Sequence, residues 1–378
     1  MLRLLKNRKA RGWLIQIATL TIAVGLVATF VLTARENLLN QGIATGFGFL
    51  ERSTGWPISF ALIDVSDRSP YWEMLLAGFL NTLLVGILGI ALATVVGVTV
   101  GLMRISSNFM LNLLGTIFVE TFRNIPLILQ VIFWYALLTH LPRPRDAIDI
   151  GGAVFLTNRG LILPAFDMSG LDVVILVAAI IALVVLAARY AETLGSRVAW
   201  GSATCVALVL FLALLFFGRT PDAALVTLPE LRGLRFVGGF TIKPEFTALL
   251  IAIMVFGGAY VGEIVRAGFL SVDRGRIEAA SALGLSPWQV NRFVRIPLAI
   301  RAILPALSNQ YIWLMKATTL GIAIGFPDYF MVVSTSINQA GQAIELLALL
   351  MGGFLLINYV MGASLNRLNA AIALKGRT

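Results

Sequence analysis

The chain has 378 residues, of which 58% are hydrophobic and 13% charged, and its formal net charge is +10. Soluble domains hold about 45–50% apolar and about 25% charged residues, so this composition, with a mean hydropathy of +0.90, excludes a soluble globular protein. The single cysteine, Cys205, allows neither an intrachain disulfide nor a zinc site. The single histidine, His140, ends an apolar segment, which favours an interfacial position over a catalytic one.

Eight apolar segments are long enough to cross a bilayer core of about 30 Å as helices. The first, 13–33, follows the basic tail 1–12 and is too long for a cleaved signal peptide, so we expect a retained helix. The predicted fold class is therefore all-α, a polytopic bundle of about eight transmembrane helices. The remaining predicted spans are 75–103, 113–138, 172–188, 198–217, 246–267, 298–322 and 342–362.

The distribution of Lys and Arg sets the predicted orientation. With 1–12 in the cytosol, the inner segments are basic, whereas the outer segments carry more Asp and Glu than Lys and Arg. Both termini are then cytosolic. Because the basic residues are spread over inner loops, nucleic-acid binding is a poor interpretation. The outer segments 34–74, 139–171 and 218–245 contain prolines and glycines, and we expect irregular caps and short interfacial helices there.

Two pairs of glycines have the small-xxx-small spacing that lets transmembrane helices approach closely. Gly97 and Gly101 lie in the second span, whereas Gly321 lies at the end of the seventh and Gly325 just after it. Both pairs predict helix packing in preference to ligand contact.

Ionisable groups at membrane depth are rare and point to function. Glu120 and Arg123 share a helix face, so they either pair structurally or line a translocation path with Gln130. A second polar cluster lies in the seventh span and consists of Lys316, Thr318 and Thr319. If both clusters faced one cavity, they could satisfy the ammonium and the carboxylate of an amino acid.

The inner segment 268–297 interrupts the apolar sequence with a polar insert. We expect a short helix that ends at Gly284, because glycine readily adopts the left-handed conformation found after a helix. We expect Ser286 to cap a second helix, with Pro287 at its first position and Gln289 at its third. Ile277, Ala280, Leu283 and Gly284 fall on one face of the first helix. A small-residue face with an apolar stripe favours a knob that docks in a groove of another protein over a solvated loop.

The stretch EAASALGLSPWQVNRFVRIPLA, 278–299, resembles the EAA motif of permease subunits of binding-protein-dependent ABC importers. Its tail, VRIPLA, departs from the general I-x-L-P pattern of that motif. Segments 81–102, 119–135, 238–285 and 315–328 also resemble amino acid permeases, so the resemblance covers about 75–365. The added first span, the outer segment 139–171 and the added helices 172–217 are most similar to the general L-amino acid branch. The residues that match the motif are Glu278, Ala279, Ala280 and Gly284.

The resemblance implies a type I ABC importer transmembrane domain over 75–365, followed by a cytosolic tail, 366–378. It implies that the matched motif residues couple the chain to an ATPase. The implied partners are a second homologous permease, two ATPase subunits, a periplasmic binding protein, an amino acid substrate and the lipid of a bacterial inner membrane. The sequence lacks a G-x-x-x-x-G-K-[ST] loop, so we expect no cofactor and no enzymatic activity in this chain, with ATP bound by the partner.

Two other classes of protein are weaker alternatives. An ion-driven secondary transporter commonly shows inverted repeats and broken midplane helices, and it would leave the knob unexplained. An integral-membrane enzyme needs a catalytic cluster, and no such set of residues stands out in the sequence.

Overall fold

The computed structural model describes residues 8–40, 46–166, 195–217 and 226–372, together with scattered residues between 172 and 190. Five helices of this part are long and apolar enough to cross a membrane, or up to seven spans when each of two bent pairs counts as one. The prediction of a transmembrane helical bundle is therefore confirmed. The predicted span 172–188 lies largely outside the described residues.

The described helices begin and end close to most of the predicted spans, although α1 is longer at both ends than 13–33. They are α1 (Arg8–Asn40), α2 (Tyr71–Arg104), α3 (Phe109–Asn124), α4 (Leu127–Thr139), α5 (Ser196–Phe217), α6 (Pro244–Leu270), α7 (Arg274–Ala282), α8 (Pro287–Val290), α9 (Ile296–Ala317), α10 (Tyr329–Ala340) and α11 (Ala343–Ile372).

The predicted span 113–138 consists of two helices, α3 and α4, separated by a break. The chain bends by 103° between α3 and α4. The physical reason is Pro126, which disfavours a helical conformation at the residue before it. Ile125 accordingly has φ −90° and ψ 123°, outside the helical region.

The predicted span 298–322 is also interrupted. After α9 the chain forms a 3-10 helix, Thr318–Ile324, and α10 then leaves at 51° to the preceding part. Side chains of α2 satisfy backbone groups at this break, as irregular backbone at membrane depth requires. The Asn81 amide donates to the Pro327 carbonyl at 2.8 Å, and the Tyr329 amide donates to the Thr82 hydroxyl at 2.9 Å.

Close contact between α2 and α6 forms the centre of the bundle. A Cβ atom added at Gly101 would lie 2.7 Å from the Val265 Cβ and 2.8 Å from the Gly262 carbonyl oxygen, and Gly97 is equally crowded. The packing role predicted for this pair is confirmed. In the second pair, Gly321 packs against the Leu249 side chain, whereas Gly325 has open space around it and a φ of +75° that ends the 3-10 helix.

Short antiparallel strands, in place of the expected caps and interfacial helices, occupy the described parts of 139–171 and 218–245. Strands this short, at two to four residues, carry little periodic signal. One sheet has the order β1-β2-β3-β8, and two further pairs are β4 with β5 and β6 with β7. The strands are β1 (Ile148–Ile150), β2 (Val154–Thr157), β3 (Gly160–Leu163), β4 (Ala165–Phe166), β5 (Val226–Thr227), β6 (Glu230–Arg232), β7 (Arg235–Val237) and β8 (Phe240–Ile242).

Candidate functional site

The polar insert folds into the two short helices that the sequence predicts. Asp273 caps α7 by accepting a hydrogen bond from the Gly275 amide at 3.2 Å. The helix ends at Ala282, and Gly284, two residues later, has a φ of +82° in the left-handed region that glycine adopts at low cost. The Leu285 amide then donates back to the Ala280 carbonyl at 3.4 Å, which closes the turn.

The second helix, α8, begins with the predicted capping box. The Ser286 amide donates to the Gln289 side chain at 2.9 Å, and the Gln289 amide donates to the Ser286 hydroxyl at 3.4 Å. Pro287 occupies the first turn, where its missing N–H costs nothing. These bonds fix the geometry of the turn between α7 and α8. We call the unit formed by residues 273–290 the knob.

The knob has an inner face that holds it to its own chain. Ile277 packs against a core cluster that includes Val265 of α6 and Ile303 of α9. Ala280 is only 5% exposed. The prediction that Ala280 faces a groove on another protein is therefore wrong. The residues of the predicted apolar stripe lie on two faces of the knob: Ala280 is on the inner face, whereas Leu283 is exposed.

The outer face of the knob is open. Glu278 and Ala279 are exposed, as is Gly284. Leu283 is 84% exposed and Trp288 65% exposed, and the Arg292 guanidinium lies 5.3 Å from the Trp288 ring centre. Helical periodicity places Leu283 on the same face as Ile277 and Ala280, although Leu283 is exposed and Ala280 is buried. Trp288 is not among the residues predicted from the sequence. A tryptophan beside a capping box in a polar insert was the available signal, because tryptophan and arginine often dominate protein interfaces.

A cluster of five charged side chains joins α2, α3 and α6, and we call it the ionic cluster. Glu263 lies at its centre and forms ion pairs with Arg104, with Arg266 at 2.6 Å and with Arg123 at 4.0 Å. Arg104 also lies 3.6 Å from Glu120. The cluster therefore contains three positive and two negative groups and ties the end of α2 to α3 and α6.

The alternative in which Glu120 pairs with Arg123 is wrong, because each side chain has another partner. Glu120 pairs with Arg104, and Arg123 pairs with Glu263 while its guanidinium lies 5.1 Å from the Tyr260 ring centre. Glu263 is a further member of this site that is not among the residues predicted from the sequence. The signal was a glutamate and an arginine, Arg266, three residues apart in an apolar helix.

Gln130 lies inside the protein. Its side chain is buried, and its amide nitrogen donates to the Phe122 carbonyl at 2.9 Å and to the Ile125 carbonyl at 3.0 Å. These carbonyls are left free by the break between α3 and α4. Gln130 therefore braces the bend between the two helices.

The second predicted cluster lies elsewhere in the bundle. Lys316 is exposed, and the Thr319 hydroxyl donates to its carbonyl at 2.9 Å. Thr318 is buried, its hydroxyl donates to the Met315 carbonyl at 2.9 Å, and it lies beside Gly86 of α2. Arg104 is farther along the same helix by about 27 Å at 1.5 Å per residue. One amino acid therefore cannot contact both clusters at once.

The described residues contain no group of three His, Cys, Asp or Glu side chains that could hold a metal ion. The described sites contain ion pairs, a braced helix bend and a knob with two exposed large apolar side chains, Leu283 and Trp288. Such an arrangement suits contact with another protein and movement of helices.

Comparison with known proteins extends over nearly the whole chain. The chain is 39% identical to the putative amino-acid ABC transporter permease protein YhdX of Escherichia coli, over 98% of this chain and 96% of that protein. It is 38% identical to the general L-amino acid transport system permease protein AapQ of Rhizobium johnstonii, over 98% and 94% respectively. A third relative is the glutamate/glutamine/aspartate/asparagine transport system permease protein BztB of Rhodobacter capsulatus. The two are 32% identical over 99% of this chain and 96% of that protein.

A family model covers the part of the chain that holds the knob and the ionic cluster. Residues 89–373 match the model described as the binding-protein-dependent transport system inner membrane component. This match spans more than half of the chain and agrees with the full-length relatives. The chain therefore belongs to the family of inner membrane components of binding-protein-dependent transport systems.

Proposed function

We propose that this chain is the permease subunit of an ABC importer, that it translocates amino acids into the cytoplasm, and that a partner ATPase drives it through the knob. One observation carries the proposal: the knob presents Leu283 and Trp288 to solvent while Ile277 holds its inner face to the bundle. Exposed large apolar side chains on a rigid support fit a protein interface. The knob thus has a free face for a partner and a fixed face that transmits force.

The contacts of the knob provide a route for that force. Movement of α7 reaches α6 through Ile277, and α6 is tied to α2 and α3 by the ionic cluster around Glu263. Closure of two ATPase subunits around ATP would displace the knob, tilt these helices and switch access from the outside to the inside. ATP is bound by the partner subunits, and this chain contributes no catalytic residue.

The names of the relatives support amino acids as the substrate, and a broad range of L-amino acids is the finer proposal. One relative is a general L-amino acid system permease, and another is named for glutamate, glutamine, aspartate and asparagine. Lys316, which is exposed, is a candidate contact for the substrate carboxylate. Glu120 and Arg123 belong to the ionic cluster at Arg104, which is about 27 Å along α2 from Gly86 beside Thr318, and they are candidates for a separate stage of passage.

The proposed assembly contains this chain, a second homologous permease, two ATPase subunits and a periplasmic binding protein. The proposed location is the bacterial inner membrane, with both termini and the knob in the cytosol. The excess of Lys and Arg in the segments on that side supports this orientation. The described strands between α4 and α6 then lie on the periplasmic side, where a loaded binding protein approaches.

Uptake into vesicles tests the proposal directly. The complex is purified through a tag on this chain, its co-purifying subunits are identified, and it is reconstituted with the binding protein. We expect uptake of radiolabelled glutamate only with ATP on the knob side and binding protein on the other, and competition by chemically different L-amino acids. Uptake by this chain alone, driven by an ion gradient, would overturn the proposal.

A further inference from the structure

The first helix of the chain, as far as the structure describes it, leaves its membrane-spanning stretch unburied. Its apolar stretch, Gly12–Thr33, is long enough to cross a membrane, and none of its most apolar window is buried. Leu20 is 66% exposed and Phe30 75% exposed. A helix that is apolar on all sides can pack against an apolar protein surface as well as against lipid.

A groove of matching character lies between α2 and α11. It has a volume of about 360 Å³, and apolar or aromatic side chains form most of its lining. Gly352 of α11 leaves a notch in it, since a Cβ atom added there would meet nothing within 4 Å. Six of its lining residues are Leu50, Trp72, Leu76, Phe79, Gly352 and Leu356.

The chain itself brings the end of α1 to the mouth of this groove. The Gly46 amide donates to the carboxylate of Glu345, in the first turn of α11, at 2.5 Å. The six steps from Asn40, the last residue of α1, to Gly46 span at most about 20 Å. This reach is shorter than a bilayer core of about 30 Å. The end of α1 and the start of α11 therefore lie on the same side of the membrane, and the two helices run antiparallel.

The two helices also carry unfilled glycines at the same depth. Gly25 of α1 lies eight residues before Thr33, or about 12 Å along the helix, and Gly352 lies nine residues after Ala343, or about 14 Å. A Cβ atom at Gly25 would likewise meet nothing within 4 Å. Small residues at matched depth allow transmembrane helices to pack closely.

We propose that α1 docks into the groove between α2 and α11 of its own chain, with Gly25 facing Gly352. The docked helix fills the notch at Gly352 and covers Trp72 and Leu76. It thereby becomes a structural part of the transmembrane domain, held by its own apolar surface and by the bond between Gly46 and Glu345.

Disulfide formation between introduced cysteines tests this arrangement. Cys205→Ser removes the chain's single cysteine, and Gly25→Cys is then combined with Gly352→Cys in the full chain, in membranes. A disulfide requires Cα atoms about 4.4–6.8 Å apart. The matched control pairs Gly25→Cys with Met351→Cys, because Met351 is 65% exposed at nearly the same depth but does not line the groove.

We expect mild oxidation to cross-link most of the Gly25–Gly352 pair within one chain, at least fivefold more than the control pair. A cross-linked dimer would overturn the proposal and assign the groove to the first helix of another copy. Equal, low cross-linking of both pairs would also overturn it and leave the groove to lipid. As an independent readout, Gly352→Leu should lower the melting temperature of the purified full chain, whereas Met351→Leu should not. Equal melting temperatures would contradict the docked arrangement.

Discussion

The guanidinium of Arg104, the last residue of α2, pairs with the carboxylate of Glu263, 159 residues later in the chain. Glu263 lies in the last two turns of α6, and α6 leads through a short turn into the knob. The Arg104 side chain is only 10% exposed. The pair therefore connects the end of a central helix to the element that we propose contacts the ATPase.

Removing the central carboxylate should destabilise the protein strongly. Glu263→Gln leaves the nearly buried Arg104 with only the largely exposed Glu120, 3.6 Å away, as a counter-charge, and breaking a buried ion pair costs about 3–5 kcal/mol. The matched control, Glu120→Gln, removes a carboxylate that is 58% exposed and should cost at most about 1 kcal/mol. Thermal unfolding of the purified chain measures both changes. Equal losses in the two variants would show that Glu263 is not the centre of the cluster.

Neighbouring alanines in the knob should respond differently to bulk. Ala280 is buried, so Ala280→Trp overfills the contact beneath α7 and should lower the melting temperature, with a cost of about 1–3 kcal/mol. Ala279 is exposed, so Ala279→Trp should leave the melting temperature unchanged and reduce ATPase co-purification at least fivefold. The measurements are thermal unfolding and pull-down of the ATPase. A stable Ala280→Trp protein together with an unstable Ala279→Trp protein would invert the two faces of the knob.

The turn of the knob depends on a left-handed residue. Gly284→Ala should cost about 1–2 kcal/mol, because a side chain in this conformation clashes with its own backbone. Gly284→Asn should cost less, since asparagine tolerates this region better than alanine. Gly275→Ala is the control, because Gly275 lies in the first turn of α7 with a negative φ. Local hydrogen exchange of residues 273–290 measures the effect, and equal exchange in all three variants would exclude strain at Gly284.

The bend between α3 and α4 should depend on Gln130. Gln130→Leu leaves the Phe122 and Ile125 carbonyls without their side-chain donor, and each unsatisfied buried group costs about 1–3 kcal/mol. Asn124→Ala is a suitable control, because the exposed Asn124 side chain bonds only within its own helix, to the Glu120 carbonyl. Thermal unfolding should therefore show a clear loss for the first variant and little change for the second. A loss of the same size in Asn124→Ala would argue against the brace.

Thiol labelling tests the proposed orientation. In a Cys205→Ser chain, Ile150→Cys lies on an exposed strand and Arg276→Cys lies on the exposed side of the knob. We expect a membrane-impermeant maleimide to label Ile150→Cys in intact cells with a permeabilised outer membrane, and Arg276→Cys only in inverted vesicles. The reverse pattern would place the knob in the periplasm and remove its proposed partner.

The apolar runs of the sequence predicted α2, α5, α6 and the start of α11 well, because burial in lipid demands long continuous hydrophobic segments. The helix α11 continues ten residues beyond the predicted end at 362. The knob was also predictable, since Ser286, Gln289 and Gly284 specify caps through bonds between near neighbours. Local chemistry of this kind leaves a signature within a few residues.

The features that the sequence hid depend on distant contacts. The partners of Glu263 come from three helices, so its role could not be read from local spacing. The inward position of Ala280 depends on which side of α7 meets α6 and α9, and periodicity alone cannot choose between two apolar faces. Pro126 marks a kink in the apolar run around it, but the residue type alone does not give the 103° angle of the bend.

ATP hydrolysis by the reconstituted complex tests the central claim most directly. The rate is measured in vesicles with and without loaded binding protein, for the unaltered chain and for Ala279→Trp. We predict that loaded binding protein stimulates hydrolysis severalfold in the unaltered complex, and that Ala279→Trp abolishes this stimulation while the chain stays folded in the membrane. Normal stimulation in the Ala279→Trp complex would contradict the claim that the knob couples this chain to its ATPase.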